Sequence, residues 1–116
     1  MGSKKGKTPE TYFLRVTDNA LRDLDNLTGY IAFIKRQPIN AIRVGDRIFE
    51  TIGRIEQNPF AFHECEEIPT KTKIYRKATC MSWHIIFKVK DSEVIILGII
   101  HVSRKASRVR KLRKEI

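Results

Sequence analysis

Apolar residues in this chain follow two rhythms, and the rhythm changes near residue 60. Upstream, Leu21, Leu24, Leu27, Tyr30, Ile31 and Ile34 recur every three or four positions, the spacing that lines one face of an α-helix. Thr17-Asp18-Asn19 offers N-cap side chains for that helix. Gly29 costs it about 1 kcal/mol without having to break it. Pro38 and Asn40 then punctuate the chain, and Asn40 is placed to cap a second helix. Ala41, Val44, Ile48, Ile52 and Ile55 form its stripe, and Asn58-Pro59 stops it. Two striped helices joined by a few residues predict an αα-hairpin, with Phe60 and Phe62 pinning its exit.

Ahead of the hairpin, Tyr12-Phe13-Leu14-Arg15-Val16 is rich in β-formers and predicts a short strand. After an acidic loop at 63–67, the period shortens to two. Strands are expected over Thr72–Ala78, Trp83–Val89 and Val94–Ile100, with Asp91-Ser92 turning between the last two. The unbroken apolar run Val94–Ile100 predicts a central strand buried on both faces. The order β-α-α-β-β-β gives an α+β fold, with an N-terminal strand and an αα-hairpin packed on a three- to four-stranded antiparallel sheet. Beyond Ser103, Ala106, Val109, Leu112 and Ile116 keep helical spacing among basic residues. That makes 104–116 a basic C-terminal tail that is docked, disordered or folded on a partner.

Charge adds a second layer. The chain has 116 residues and a net charge of +10, enough length for one domain with a real core. The excess sits at the ends. Residues 1–10 carry three lysines against Glu10, and 104–116 carry seven Lys/Arg against Glu115. The first ten residues are too polar to pack and are expected to be disordered, leaving 11–103 as the folded domain. Such ends suit nucleic acid or an acidic protein. Cys65 and Cys80 share no CxxC spacing, so both are expected reduced. His63-Glu64-Cys65-Glu66-Glu67 lacks a second His/Cys pair, so neither metal nor cofactor is expected. With no signal-peptide h-region and no run of roughly 18–20 apolar residues, the reading is soluble and cytoplasmic, with no membrane.

The candidate chemistry lies between Tyr75 and Lys105. A meander carrying Arg76, His84, His101, Arg104 and Lys105 around one sheet would make a cationic, imidazole-containing surface suited to polyanions. RNA scission by a 2′-hydroxyl needs a proton acceptor, a proton donor and positive charge at phosphorus. His84 or His101 would handle the proton, with Arg76 and Arg104 on the phosphate. The structural alternatives are that His101 is a satisfied strand-end histidine, and that Arg76 and Lys77 pair with Glu64, Glu66 or Glu67. Lys105 and Arg108 extend the phosphate- or target-binding set into the tail.

The order of elements resembles the RelE/ParE superfamily of bacterial type II toxins over about residues 12–105. The resemblance is carried by the first strand leading into Thr17–Leu24, the hairpin with Pro38 and Ala41, and Asn58-Pro59. Tyr75-Arg76, the strand Trp83–Val89, and Val94–His101 followed by Arg104 complete it. It implies a small basic toxin neutralised by a cognate antitoxin in a hetero-oligomer. RelE-like members cleave mRNA on the ribosome, and ParE-like members poison DNA gyrase. Arg76 and Arg104 match recurrent arginines of RelE-like members. His84 stands where those members carry another arginine, and Arg110 is the nearest match to a C-terminal tyrosine. With the long hairpin, these departures point to the ParE-like side, with a RelE-like endoribonuclease and a non-toxic nucleic-acid-binding module as alternatives.

Overall fold

The structure is a computed structural model, and it describes residues 11–115; the segment read as disordered, 1–10, lies outside them. Strand β1 (Phe13–Val16) runs into helix α1 (Asp18–Gly29), a π-helical turn (Tyr30–Ile34) and helix α2 (Pro38–Gln57). A 3₁₀ turn at Pro59–Ala61 leads to strands β2 (His63–Glu64), β3 (Tyr75–Cys80), β4 (Trp83–Lys90) and β5 (Glu93–His101). The chain closes with a short helix α3 (Ala106–Arg110) and a 3₁₀ turn at Lys111–Lys114.

The α+β architecture is as expected, but the sheet is larger and mixed. Its order is β1-β5-β4-β3-β2. β1 lies parallel to β5, Val16 opposite Ile96, while the other pairs are antiparallel. The parallel pairing is possible because the whole hairpin and meander separate β1 from β5, length enough for a crossover. The second addition is β2, which turns part of the acidic loop into a two-residue strand beside β3. β3 also starts later than its alternation suggested. Lys73 takes φ 55°, and Thr70 Oγ1 accepts the Ile74 N–H, so the turn consumes residues to 74.

The hairpin differs in two details. Gly29 does not end the helical path, which widens instead into the π turn, where the Lys35 N–H reaches Tyr30 O. α2 begins at Pro38, two residues before the expected cap, because proline at the first turn has no N–H to satisfy. Asn40 is therefore inside the helix, its side chain donating to Gln37 Oε1.

Each face of the sheet carries its own core. Under the hairpin, Val44, Ile48 and Ile55 meet Ile85, Phe87, Val94 and Ile96. On the other face, Ile86, Ile95, Leu97 and Ile100 meet Cys65, Ile68 and the tail residues Val109 and Leu112. The tail is thus docked, with its basic side chains outward and two apolar ones inward.

A bulge makes both cores possible. Ile86 pairs with Gly98 but Phe87 with Ile96, so Leu97 is extra. The bulge shifts the phase of β5 and returns Ile99 to the hairpin face and Ile100 to the tail face. It also falls where β1 has ended, leaving the outer edge of β5 without a strand. α1 supplies the missing partners. Thr17 Oγ1 and Asn19 Nδ2 both donate to Leu97 O, at 3.2 and 2.9 Å, and Asp23 Oδ2 accepts the Ile99 N–H at 2.9 Å. Thr17 also caps α1, accepting the Ala20 N–H at 3.1 Å.

Thr17→Ala should therefore destabilise the domain by about 0.5–2 kcal/mol, the range for a lost N-cap, whereas Thr17→Ser should stay near wild type. Chemical denaturation of the two variants checks this.

Candidate functional site

Strand alternation sends the predicted site residues to different places. Arg76 shares a face with Ala78 and Cys80, under the hairpin. Its Nη1 donates to Phe62 O at 2.8 Å, and its guanidinium carbon lies 4.8 Å from the centre of the Phe60 ring. The buried Nε has no protein partner. This arginine ties the exit of α2 to β3 and does not present a fork to solvent.

Lys77 and His84 occupy the opposite face, with Ile86. Lys77 Nζ pairs with Glu67 at 3.1 Å, one of the carboxylates the structural alternative named, whereas among the described residues Arg76 makes no ion pair and donates to Phe62 O instead. Burial would raise the Glu67 carboxyl, but its own backbone N–H and the Lys77 ammonium outweigh that and lower it. Burial and Glu67 push the neighbouring Cys65 thiol up to about 11, which leaves it inert. His84 Nδ1 lies 2.9 Å from Thr79 Oγ1. Burial, and then the Lys77 charge, lower its pKa below 6.5. At neutral pH it is an uncharged imidazole that adds nothing to phosphate attraction.

His101 sits at the end of β5, exposed, with Nδ1 2.8 Å from Ser103 Oγ and its ring edge-on to Trp83 at 5.7 Å. It is a strand-end histidine. The expected single cationic surface is therefore absent. Arg76 is under the hairpin, Lys77 and His84 are on the far face, and only His101, Arg104, Lys105 and Arg108 converge. They do so on a groove of roughly 1140 Å³ at the open edge of β5, closed on its other side by α1 and the π turn. Lys35 and Tyr30 come from that side, and Asp23 and Trp83 line it as well. Burial raises the Asp23 carboxyl above 3.8, against the lowering by Ile99 N–H and the charges of Arg108 and Arg22. Among the described residues, no group of three or more His, Cys, Asp or Glu is placed to hold a metal ion. Nor is any helix among them long and apolar enough to cross a membrane.

A second surface escaped the reading of the sequence. On the outer side of the hairpin, Phe33, Ile39 and Ile42 are exposed at 80%, 72% and 65%, with Ile34 and Phe49 also largely exposed. A groove of roughly 670 Å³ runs between the helices here, floored by Gly29, Ala32, Ala41 and Gly45. The signal is Phe33, Ile39, Ile42 and Phe49, apolar residues off the expected stripes and too many for a face left to water; Ile34, expected on the α1 stripe, is exposed at the end of the π turn.

Helices packed on a mixed five-stranded sheet make an α+β arrangement like the ParE/RelE fold. Residues 14–106 match the profile of the ParE toxin of the type II toxin-antitoxin system, parDE, and the chain belongs to that family. Three solved structures are similar. A chromosomal ParDE toxin-antitoxin system from P. aeruginosa contains a chain that is 24% identical with a TM-score of 0.64, covering 82% of this chain and 100% of that one. The RelBE2 toxin-antitoxin complex from Mycobacterium tuberculosis follows at 17% identity and 0.55, covering 84% and 98%. An arginine double mutant of E. coli RelE in the free state gives 13% and 0.55, covering 90% and 93%. No curated protein matches in sequence. The protein is the toxin component of a type II toxin-antitoxin system.

A lowered folded-state pKa means that the unfolded chain takes up the His84 proton first, so this group's contribution to stability falls as pH drops below 6.5. An NMR titration of His84 should give a midpoint below 6.5, and Lys77→Gln should move it upward by removing a nearby positive charge.

Proposed function

We propose that this toxin acts in the ParE manner, inhibiting a DNA-handling enzyme such as gyrase by binding it, and that a cognate antitoxin neutralises it. The observation that carries this reading is the dispersal of the nuclease candidates. A phosphate fork and a proton-transferring histidine must reach one phosphodiester. Arg76 and His84 lie on opposite faces of the sheet, with Arg76 engaged by Phe62 and Phe60. The family match over residues 14–106 supports the same side.

The antitoxin is assigned to the outer face of the hairpin. Exposed Ile39, Ile42 and Phe49 on α2, with Phe33 on the π turn before it, surround a floor of small residues. That shape receives an amphipathic helix with apolar anchors at i, i+3/i+4 and i+7. The surplus positive charge of the toxin favours an acidic segment beside those anchors and speeds its association.

Three outcomes are expected. Induction of the chain alone arrests bacterial growth, and co-expression of the neighbouring antitoxin rescues it. On one purified sample, gyrase supercoiling is inhibited while ribosome-programmed mRNA stays intact; the reverse result would establish the endoribonuclease reading instead. Ile42→Asp with Phe49→Asp weakens antitoxin binding at least about tenfold, the effect of desolvating two charges at a contact, and leaves gyrase inhibition in place.

A further inference from the structure

We infer that the basic groove at the open edge of β5 binds single-stranded nucleic acid, an activity separate from the choice of target enzyme. Its cations come from three elements: Lys35 after the π turn, Arg104 and Lys105 after β5, and Arg108 on α3. All four are exposed, and no ion pair involving any of them is seen among the described residues. Among the described residues the groove thus holds a row of guanidinium and ammonium groups with no carboxylate at ion-pair distance, Asp23 interacting with Arg108 only at longer range, a phosphate-tracking arrangement.

Charge alone would fit an acidic peptide equally well, and three further observations separate the two. Tyr30 is 52% exposed at the groove wall and offers a flat aromatic face to a base. Asn26, Gln37 and Asn40 add amide donors and acceptors that match base edges. Asp23 is the groove's one carboxylate. One of its oxygens is taken by Ile99 N–H, leaving the other to accept from an exocyclic amine. A carboxylate recessed between cations repels an acidic peptide but suits an amino-bearing base. At roughly 1140 Å³ the groove is not smaller than the usual range of about 300–1,000 Å³ for a small-ligand pocket, so a nucleotide has room in it. A duplex keeps its bases stacked on one another, so none is free to lie on Tyr30.

The chain contains one tryptophan, Trp83, and it lines this groove, so its fluorescence reports occupancy directly. Purified full-length toxin would be titrated with a fluorescein-labelled 12-nucleotide single strand, following both anisotropy of the label and Trp83 emission. Binding should change Trp83 emission in step with anisotropy. The log–log salt slope should lie near −3, from about 0.7 per phosphate for four cations. Arg104→Gln with Arg108→Gln should weaken binding at least about tenfold and reduce the slope by about 1.4, while Lys111→Gln with Lys114→Gln should keep the Trp83 response. Asp23→Asn should change the preference among oligo-dC, oligo-dA and oligo-dT without lowering the salt slope. Unchanged melting curves for the arginine pair confirm that the fold is intact.

Three results would each overturn the inference. One is anisotropy without any Trp83 response, or with equal affinity in the Arg104/Arg108 variant, which would put binding outside the groove. Another is an abasic strand or a same-length duplex binding with the same Trp83 change. The third is a poly-glutamate peptide of equal charge competing as well as the oligonucleotide, which would make the groove an acidic-peptide site.

Discussion

The fold turns on the place where β1 stops and β5 goes on. Past Ile96, β5 has no neighbouring strand on its outer side, and an unpaired buried carbonyl or N–H there would cost about 1–3 kcal/mol. Thr17, Asn19 and Asp23 at the start of α1 take over that ladder. Because the same residues begin the helix, the edge of the sheet and the direction of α1 are set together. The bulge at Leu97 needs this support, since its carbonyl accepts two of the three bonds. Gly98 beside it leaves room for the tail: a Cβ there would meet Leu112 at 2.8 Å and Asn19 at 3.2 Å. One short segment of backbone therefore orients the hairpin, divides β5 between two cores and seats the C-terminus.

Periodicity exposed the elements whose stabilisation is local. The stripe Ala41–Ile55 and the run Val94–Ile100 each appear where one face, or two, must be dry, whereas of the stripe Leu21–Ile34 only Leu24, Leu27 and Ile31 pack on the core and Leu21, Tyr30 and Ile34 are exposed. The N-cap role of Thr17 was equally visible. The parallel partner of β1 was not, because a strand of four residues carries no mark of which distant strand it meets. β2 is shorter still, and its two residues pair through the backbone alone. The bulge also leaves no trace in a continuous apolar run, because either face of β5 accepts an isoleucine. Its one sign is Gly98, the only residue in Val94–Ile100 without a side chain.

The same blindness to phase explains the site. Arg76 and Lys77 are adjacent in sequence, and adjacency on a strand means opposite faces. A list of basic residues on a meander thus overstates the charge that any one ligand meets. Arg76 is spent inside the protein, where it bridges Phe60, Phe62 and β3. Lys77 is held by Glu67, and His84 beside it is kept neutral by burial and that lysine. What remains for a polyanion is the group brought together by the edge of β5, including Lys35, which lies 66 residues before His101 and could not be associated with it by pattern.

The tail shows why composition and placement have to be weighed together. Seven basic residues among thirteen would ordinarily describe a solvated run. Two buried side chains, Val109 and Leu112, are enough to hold this one against the sheet. Its like charges repel, and a helical turn brings them closer, so docking must be supported by the apolar contact beneath. That contact is small, which makes the ordering of the tail sensitive to Leu112 and to the space above Gly98. The basic groove inherits this dependence, because Arg108 stands one residue from Val109. The anchor that completes the sheet's second core is thus also what fixes a cation at the groove's rim.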